Sequence, residues 1–364
     1  MYIYEHKDWP NFTWRVEALA EILAKLSFEQ GRLLGEMSGI GFDVRKQSTL
    51  NNLSQEIIKS SEIEGQTLQM EQVRSSVAKR LNIPLKSKAR PSHYVDGIVD
   101  MMIDATQNFA KPLTAERLFA WHSTLFPTGR SGMYEIEVGK FRSDKDGRMQ
   151  VVSERGPRKT VHFEAPKAAK LFKETNKFFT FINSRPADLF SVAIAHIWFV
   201  TLHPFEDGNG RIARAITEML LARCENSDCR FYSMSNQIQI ERNRYYEILE
   251  QTQKGTLDIT EWLHWFFSAL HRAIVDAGKK SERVLEKARF WQNVSDVALN
   301  ENQHKILNRL FDGFEGNLTS SKWAKICKCS QDTANREIND LLEKNILKKI
   351  GNGRSTHYLM PNNV

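Results

Sequence analysis

Cysteine is scarce in this chain, with four among 364 residues, falling as Cys224 with Cys229 and Cys327 with Cys329. Neither pair has the spacing usual for a zinc site, so reduced thiols are expected and a structural zinc is not. No apolar run reaches the roughly 20 residues that span a bilayer. The opening residues Met1-Tyr2-Ile3-Tyr4-Glu5-His6 lack the layout of a secretion signal. A cytoplasmic protein with no membrane partner is the expectation. There is no Walker A string and no kinase-type glycine loop, which removes two common routes to phosphate chemistry. Acidic residues are outnumbered, 44 against 51 Lys and Arg, giving a net charge of +7. The remaining composition, 41% hydrophobic, is ordinary for a soluble chain with room for two or three domains and a substantial core.

What is present is concentrated at His203-Pro204-Phe205-Glu206-Asp207-Gly208-Asn209-Gly210-Arg211. The almost unbroken apolar run Leu189–Val200 precedes it and a helical apolar pattern, Ile212–Ala222, follows. The segment therefore reads as a loop between two buried helices, with Gly208-Asn209-Gly210 opening the second. Backbone N–H groups at such a helix start are unpaired and converge on one point, which suits a phosphate. Glycine is needed there, because the chain takes unusual dihedrals and must admit the ligand close to the backbone.

This loop resembles the Fic family signature HPFx(D/E)GNGR at every fixed position, and Arg214 matches its extension. The resemblance implies a protein adenylyltransferase that moves AMP from ATP to a Ser, Thr or Tyr hydroxyl of a target protein, itself included. The residues agree chemically with that reaction, which needs a base, a divalent cation, fixed donors and charge stabilisation on the departing pyrophosphate. His203 is the candidate base, an imidazole whose ordinary pKa lies near neutrality. Asp207 is the candidate ligand for Mg²⁺, which takes one or two carboxylates plus phosphate oxygens. Asn209 and the amides of Gly208 and Gly210 would cradle the phosphates, and Arg211 would neutralise the leaving group. Phe205 belongs to the ATP loop as an aromatic anchor. By position in the family, Tyr245 and Tyr246 correspond to the wall against the nucleotide base, although tyrosines at this spacing are more often core.

The resemblance extends to Ser60-Ser61-Glu62-Ile63-Glu64-Gly65, which matches the inhibitory motif (S/T)xxxE(G/N) with Ser60, Glu64 and Gly65 at its fixed positions. Leu50, Leu53, Ile57 and Ile58 form a helical stripe ending at Gly65, a suitable residue just past a helix end. Carboxylates in that last turn oppose the helix dipole and call for a cation. The family supplies Arg214, so that Glu64 would withhold it from the γ-phosphate. The same glutamate suits an enzyme that removes AMP from a modified target, and the two directions stay open.

Elsewhere the pattern predicts a mainly α protein: a Fic-type helical bundle with a β-hairpin flap, plus a small C-terminal winged helix-turn-helix. Helical spacing covers Trp14–Glu36, Thr49–Glu62, His93–Thr106, Ala115–Leu125, Pro166–Ile182 and Asn243–Gln251. The flap is read as a hairpin in which Gly139-Lys140-Phe141-Arg142 leads to Gln150–Val152 and then to Val161–Phe163, with Asp146-Gly147 at the centre as a turn signal; in the family it holds the target by strand addition. A charged stretch, Gly278–Arg283, is read as the start of a connecting helix. Domains are placed at 1–92, 93–285 and 286–364. In the last, helices through Ile306 to Leu310, after Thr319-Ser320 and over Gln331–Lys344 precede strands Ile346–Ile350 and Thr356–Met360. Asn352-Gly353 is read there as a hairpin turn. This module raises an alternative, a DNA-binding regulator with a Fic-like sensor. Lys348, Lys349 and Arg354 favour it, whereas Asp332, Glu337, Asp340 and Glu343, beside Asn335 and Arg336 on the candidate recognition helix, oppose it. Transfer of another phosphate-containing group is a nearer competitor, and a homodimer is implied by the family alone.

Overall fold

The computed structural model describes residues 1–39, 42–87, 89–145, 147–155, 158–311 and 313–361. Asp146 and the side chains of Arg283 and Arg354, named above, lie outside it. The chain divides into two compact units, Met1–Ala277 and Gly278–Val364.

In the first unit α1 (Ala20–Ser38), α2 (Phe42–Ile63), α3 (Met70–Arg80), α4 (His93–Gln107) and α5 (Ala115–Leu125) lead to a two-residue strand pair, β1 (Arg130–Ser131) and β2 (Tyr134–Glu135). The hairpin β3 (Gln150–Arg155) and β4 (Arg158–Glu164) follows, then α6 (Ala168–Asn183), α7 (Leu189–Leu202), α8 (Asn209–Glu225), α9 (Met234–Ile240) and α10 (Arg242–Gln253). The long α11 (Thr260–Asn293) contributes to both units. Helix α7 has no polar face, with Val192 to Phe199 buried throughout, as expected of a central helix. Asp188 and Ser191 fix its start by a reciprocal capping box, with bonds of 2.7 and 2.8 Å. Helix α8 lies against α7, α4 and α2, so the loop joining α7 to α8 rises from the middle of the bundle. Helices α4 and α5 approach closely at Gly97, where a Cβ would stand 1.9 Å from the Thr124 carbonyl oxygen.

Several expectations are corrected. Helix α1 begins at Ala20, not near Trp14, because Thr13 exchanges backbone hydrogen bonds with Leu257 and Ile259 and the Arg15 amide bonds Thr260 Oγ1. Helices α3 and α9 were not foreseen, being short and weakly patterned. The flap reverses between Arg155 and Arg158, so Gly147 lies before the hairpin and not at its tip. Val151 pairs with Phe163 and Val152 with Val161, which leaves His162 as the extra residue of a β-bulge. The charged stretch at Gly278 starts no new helix; it continues α11.

The second unit has its own core around Phe290, Leu307, Trp323, Ile338 and Leu341. Helices α12 (Glu301–Phe311), α13 (Ser320–Cys327) and α14 (Gln331–Glu343) precede the antiparallel pair β5 (Lys348–Ile350) and β6 (His357–Leu359). The turn at Asn352-Gly353 is not a two-residue hairpin. Ile350 pairs with His357, Asn352 is extended at φ −132°, and Gly351 and Gly353 supply the positive φ values. Helix α14 buries one of its acids, Glu337, which accepts from Asn300, Asn302 and Trp323, while the more exposed Asp340 accepts from Gln303 and Lys344.

Candidate active site

His203 ends α7 in the left-handed conformation, φ +46° and ψ +57°, which turns the chain sharply into the loop. Its ring Nδ1 lies 3.3 Å from the Val200 carbonyl oxygen. A carbonyl only accepts, so Nδ1 carries the hydrogen and Nε2 keeps a lone pair. Burial, aided by the nearby Arg142 guanidinium, lowers the ring pKa to about 4. The imidazole is therefore neutral near pH 7 and able to take a proton.

The loop around it is held from all sides. Phe205 is fully buried and stacks on His122 with ring centroids 4.1 Å apart. Asn209 closes the loop on itself: Oδ1 accepts from the Phe205 amide at 3.0 Å and Nδ2 donates to the Phe205 carbonyl at 2.8 Å. Its carboxamide is thus engaged with backbone, leaving the α8 terminus as the phosphate-facing element. No side chain caps that terminus at Gly208, so the first-turn amides are the unpaired donors of a helix start. Gly208 sits at φ +83°, where a Cβ would also press to 2.9 Å on the Phe126 ring. Glu206 accepts from the Glu137 amide at 2.9 Å, a structural contact.

Asp207 has a half-exposed carboxylate, 40% accessible. One oxygen accepts from the Gly208 amide at 2.5 Å; the other accepts from Ser131 and lies 3.6 Å from Arg211 Nη2. Among the described residues no group of three His, Cys, Asp or Glu side chains is arranged to hold a metal. One accessible carboxylate beside phosphate-facing amides nevertheless fits Mg²⁺, which draws most of its ligands from water and nucleotide.

Arg211 and Arg214 are three residues apart on α8 and share a face. Both are about 1% exposed. Arg214 Nε donates to Ser60 Oγ at 2.8 Å, and Nη2 to the Ser60 carbonyl at 2.8 Å and to Glu64 Oε1 at 2.7 Å. Burial alone would lower the pKa of this guanidinium, but Glu64 outweighs it and the net shift is upward. Gly210 makes room for the pair: a Cβ there would stand 2.0 Å from Glu64 Oε1. Gly65 follows at φ +78°. The end of α2 is capped by Arg242 Nε and the Tyr246 hydroxyl, both on the Ile63 carbonyl at 3.0 and 3.2 Å. Tyr246 thus touches the Ser60–Gly65 segment. Tyr245 lies in the core, its hydroxyl 2.9 Å from His196 Nε2.

Four residues that sequence reasoning did not single out complete the site. Arg142, fully buried, bonds the His203 carbonyl, the Pro166 carbonyl and Asp144 at 2.8, 2.6 and 2.9 Å. His122 accepts from the Gly139 amide on Nδ1 and so donates from Nε2 to the Asp207 carbonyl, each at 3.2 Å. Burial holds its pKa at about 4, which preserves that tautomer. Ser131 orients Asp207, and Glu56 ties α2 to the start of α9 through Ser233 and the Ser235 amide at 2.6 and 2.9 Å. None carries a local motif. Only Arg142, in Gly139-Lys140-Phe141-Arg142, adjoins a segment with a pattern.

Residues 112–221 match the Fic/DOC family. The chain carries a Fic/DOC domain. Before it, residues 2–83 match a domain of unknown function, DUF4172, and after it residues 314–360 match the C-terminal domain of DIP2311-like transcriptional regulators. A protein adenylyltransferase Fic of Nematostella vectensis is 25% identical over 226 residues, which is 60% of this chain and 47% of that one. A protein adenylyltransferase Fic of Aedes aegypti is 30% identical over 103 residues, 27% of this chain and 19% of that one. The matches thus span less than half the length of either relative. The fold resembles the crystal structure of a Fic family protein from Desulfovibrio desulfuricans G20, with a TM-score of 0.57 at 20% identity, covering 98% of this chain and 99% of that one. The Fic domain and these relatives support an enzyme of the Fic transferase kind.

Proposed function

We propose that the Fic domain transfers AMP from ATP to a hydroxyl of a protein target, and that Glu64 restrains this activity through Arg214. The observation that carries the reading is the neutral His203 with a free Nε2, beside the uncapped start of α8 and two buried arginines on that helix. In the reaction the acceptor oxygen attacks the α-phosphorus of ATP, its proton passes to His203 Nε2, and the bond from that phosphorus to the bridging oxygen breaks to release pyrophosphate. The amides opening α8 stabilise charge on the phosphate oxygens, and Arg211 meets the leaving group. Asp207 would hold Mg²⁺, which when bound supplies further charge neutralisation. With Arg214 occupied by Glu64 and Ser60, the γ-phosphate lacks its cation, and ATP settles in a pose unfit for attack. Two neighbours named as adenylyltransferases support AMP as the transferred group. Mass spectrometry of the Glu64→Gly variant after incubation with ATP and Mg²⁺ tests the reading. An added AMP mass is expected, and its absence on both the variant and added protein extracts would refute it.

A second reading concerns the other unit. Since Glu337 is buried, the exposed part of α14 presents Asn335, Arg336 and Asn339 near the middle, with Asp332 and Glu343 at its ends and Asp340 paired with Lys344. Lys348 and Lys349 on β5 are exposed as well. This surface, with the match to a regulator domain, supports DNA binding. Retention of the full chain by duplex DNA at low salt tests it, with no retention removing the reading.

A further inference from the structure

Gln66 stands just beyond the end of α2, and the backbone determines where it goes. Gly65 closes a Schellman turn, in which its amide bonds the Glu62 carbonyl at 2.9 Å and the Gln66 amide bonds the Ser61 carbonyl at 3.0 Å. Gln66 Oε1 then accepts from Arg211 Nη1 at 3.0 Å. Tyr94, in the first turn of α4, accepts from the same nitrogen at 2.8 Å and donates its hydroxyl hydrogen to Gln66 Oε1. Both hydrogens of Nη1 are used in this way. The other edge of the guanidinium makes no hydrogen bond: Nε is buried without a partner, and Nη2 is ion-paired with Asp207 at 3.6 Å, beyond hydrogen-bond range. Nε and Nη2 together form the fork that meets an anion with two parallel bonds.

We propose that Gln66, together with Tyr94, is a positioning residue that grips Arg211 by one nitrogen and keeps its Nε–Nη2 edge, which makes no hydrogen bond in the protein, in reserve for the pyrophosphate leaving group. The proposal rests on the AMP-transfer reading for its role in turnover. The chemistry of the two contacts separates them. The Glu64 carboxylate cancels the charge of Arg214, whereas a carboxamide and a phenol orient Arg211 and leave its charge intact. One short segment, Ser60–Gln66, thus withholds one phosphate-binding arginine and aims the other. Releasing Glu64 by substitution and deleting the whole segment are therefore different perturbations, and deletion gives the less active enzyme.

The test uses the full-length Glu64→Gly protein as parent, with Gln66→Ala and Gln66→Glu added singly. Calorimetric binding of inorganic pyrophosphate with Mg²⁺ is measured alongside AMP transfer at saturating ATP. Gln66→Ala is expected to weaken pyrophosphate binding and lower kcat about tenfold each, with little change in KM for ATP, the signature of a misaimed group. Gln66→Glu, which cancels the Arg211 charge, should weaken pyrophosphate binding further. Melting temperatures near that of the parent exclude a folding effect. Pyrophosphate bound by Gln66→Ala as tightly as by the parent, or tighter, overturns the proposal, as does a parent that binds none. A parent that binds pyrophosphate yet transfers no AMP refutes the transfer reading alone, since the binding comparison still decides the role of Gln66.

Discussion

Replacing Glu64 by glycine removes one carboxylate oxygen from a buried guanidinium and leaves the rest of its environment in place. The bond lost is charge-assisted, 2.7 Å from Arg214 Nη2, a class that contributes about 1.5–3 kcal/mol. Each 1.4 kcal/mol is a factor of ten, so full release corresponds to about 10- to 100-fold more of the ATP-competent state. The Glu64 side chain is 32% exposed, and solvent screening places the expectation near the lower end. The two Ser60 contacts remain, at 2.8 Å each, so Arg214 keeps its orientation and becomes free to meet a phosphate. Incorporation of label from α-labelled ATP, compared at equal protein for wild type and Glu64→Gly, should rise about tenfold or somewhat more. Ser60→Ala removes a single bond to a neutral hydroxyl and should raise it only about two- to tenfold, from about 0.5–1.5 kcal/mol. Equal labelling of wild type and Glu64→Gly, with ATP bound by both, would show that the Glu64–Arg214 pair does not restrain transfer.

His203→Ala should abolish labelling, a loss of about 10²–10⁴-fold for a base; His203→Asn should do the same with less strain, because asparagine tolerates the left-handed backbone found there, and calorimetric ATP binding separates loss of chemistry from loss of fold. Acid stability follows from buried histidines: burial lowers His122 and His196 to about 4 and 3, below the ordinary value near 6.5. The unfolded chain takes up protons first, so stability should fall as pH drops below about 6.5 and level off near pH 3, by about 3 kcal/mol for His122 and about 5 kcal/mol for His196; denaturant midpoints from pH 7 to 4 check this, and a flat profile contradicts it. Gly97→Ala drives a Cβ to 1.9 Å from the Thr124 carbonyl oxygen, and the forced separation of α4 from α5 should cost about 1–3 kcal/mol, visible as a lowered melting temperature.

The helical class of the chain and most of its long helices were legible because burial imposes a 3.6-residue period on the sequence. Ala115–Leu125 appears with the expected bounds, and His93–Thr106 ends one residue short of the helix observed. Helix α1 was misplaced at its start because Thr13 and Arg15 commit their backbone to residues near 257–260, partners that no local window contains. The flap turn was misread for a similar reason: Asp146-Gly147 is a good turn string, but strand pairing and not turn composition selects where a hairpin reverses. On α14 the four acids looked alike in sequence. Packing separated them, drawing Glu337 onto Trp323 and leaving Asp332 outside.

The sequence by itself determined the chemical inventory, since a base, a carboxylate, a glycine turn and two arginines fall within the twelve positions from His203 to Arg214 and one helix start brings them together. Tertiary structure alone decided what each of them touches. Arg214 meets Glu64 across 150 positions of chain and Arg211 meets Gln66 across 145, while Tyr245 is drawn into the core and Asn209 onto its own loop. Local periodicity encodes which face is buried; the partner of a buried charge is set by the desolvation that every unpaired group must offset, and that balance exists only once the helices are assembled.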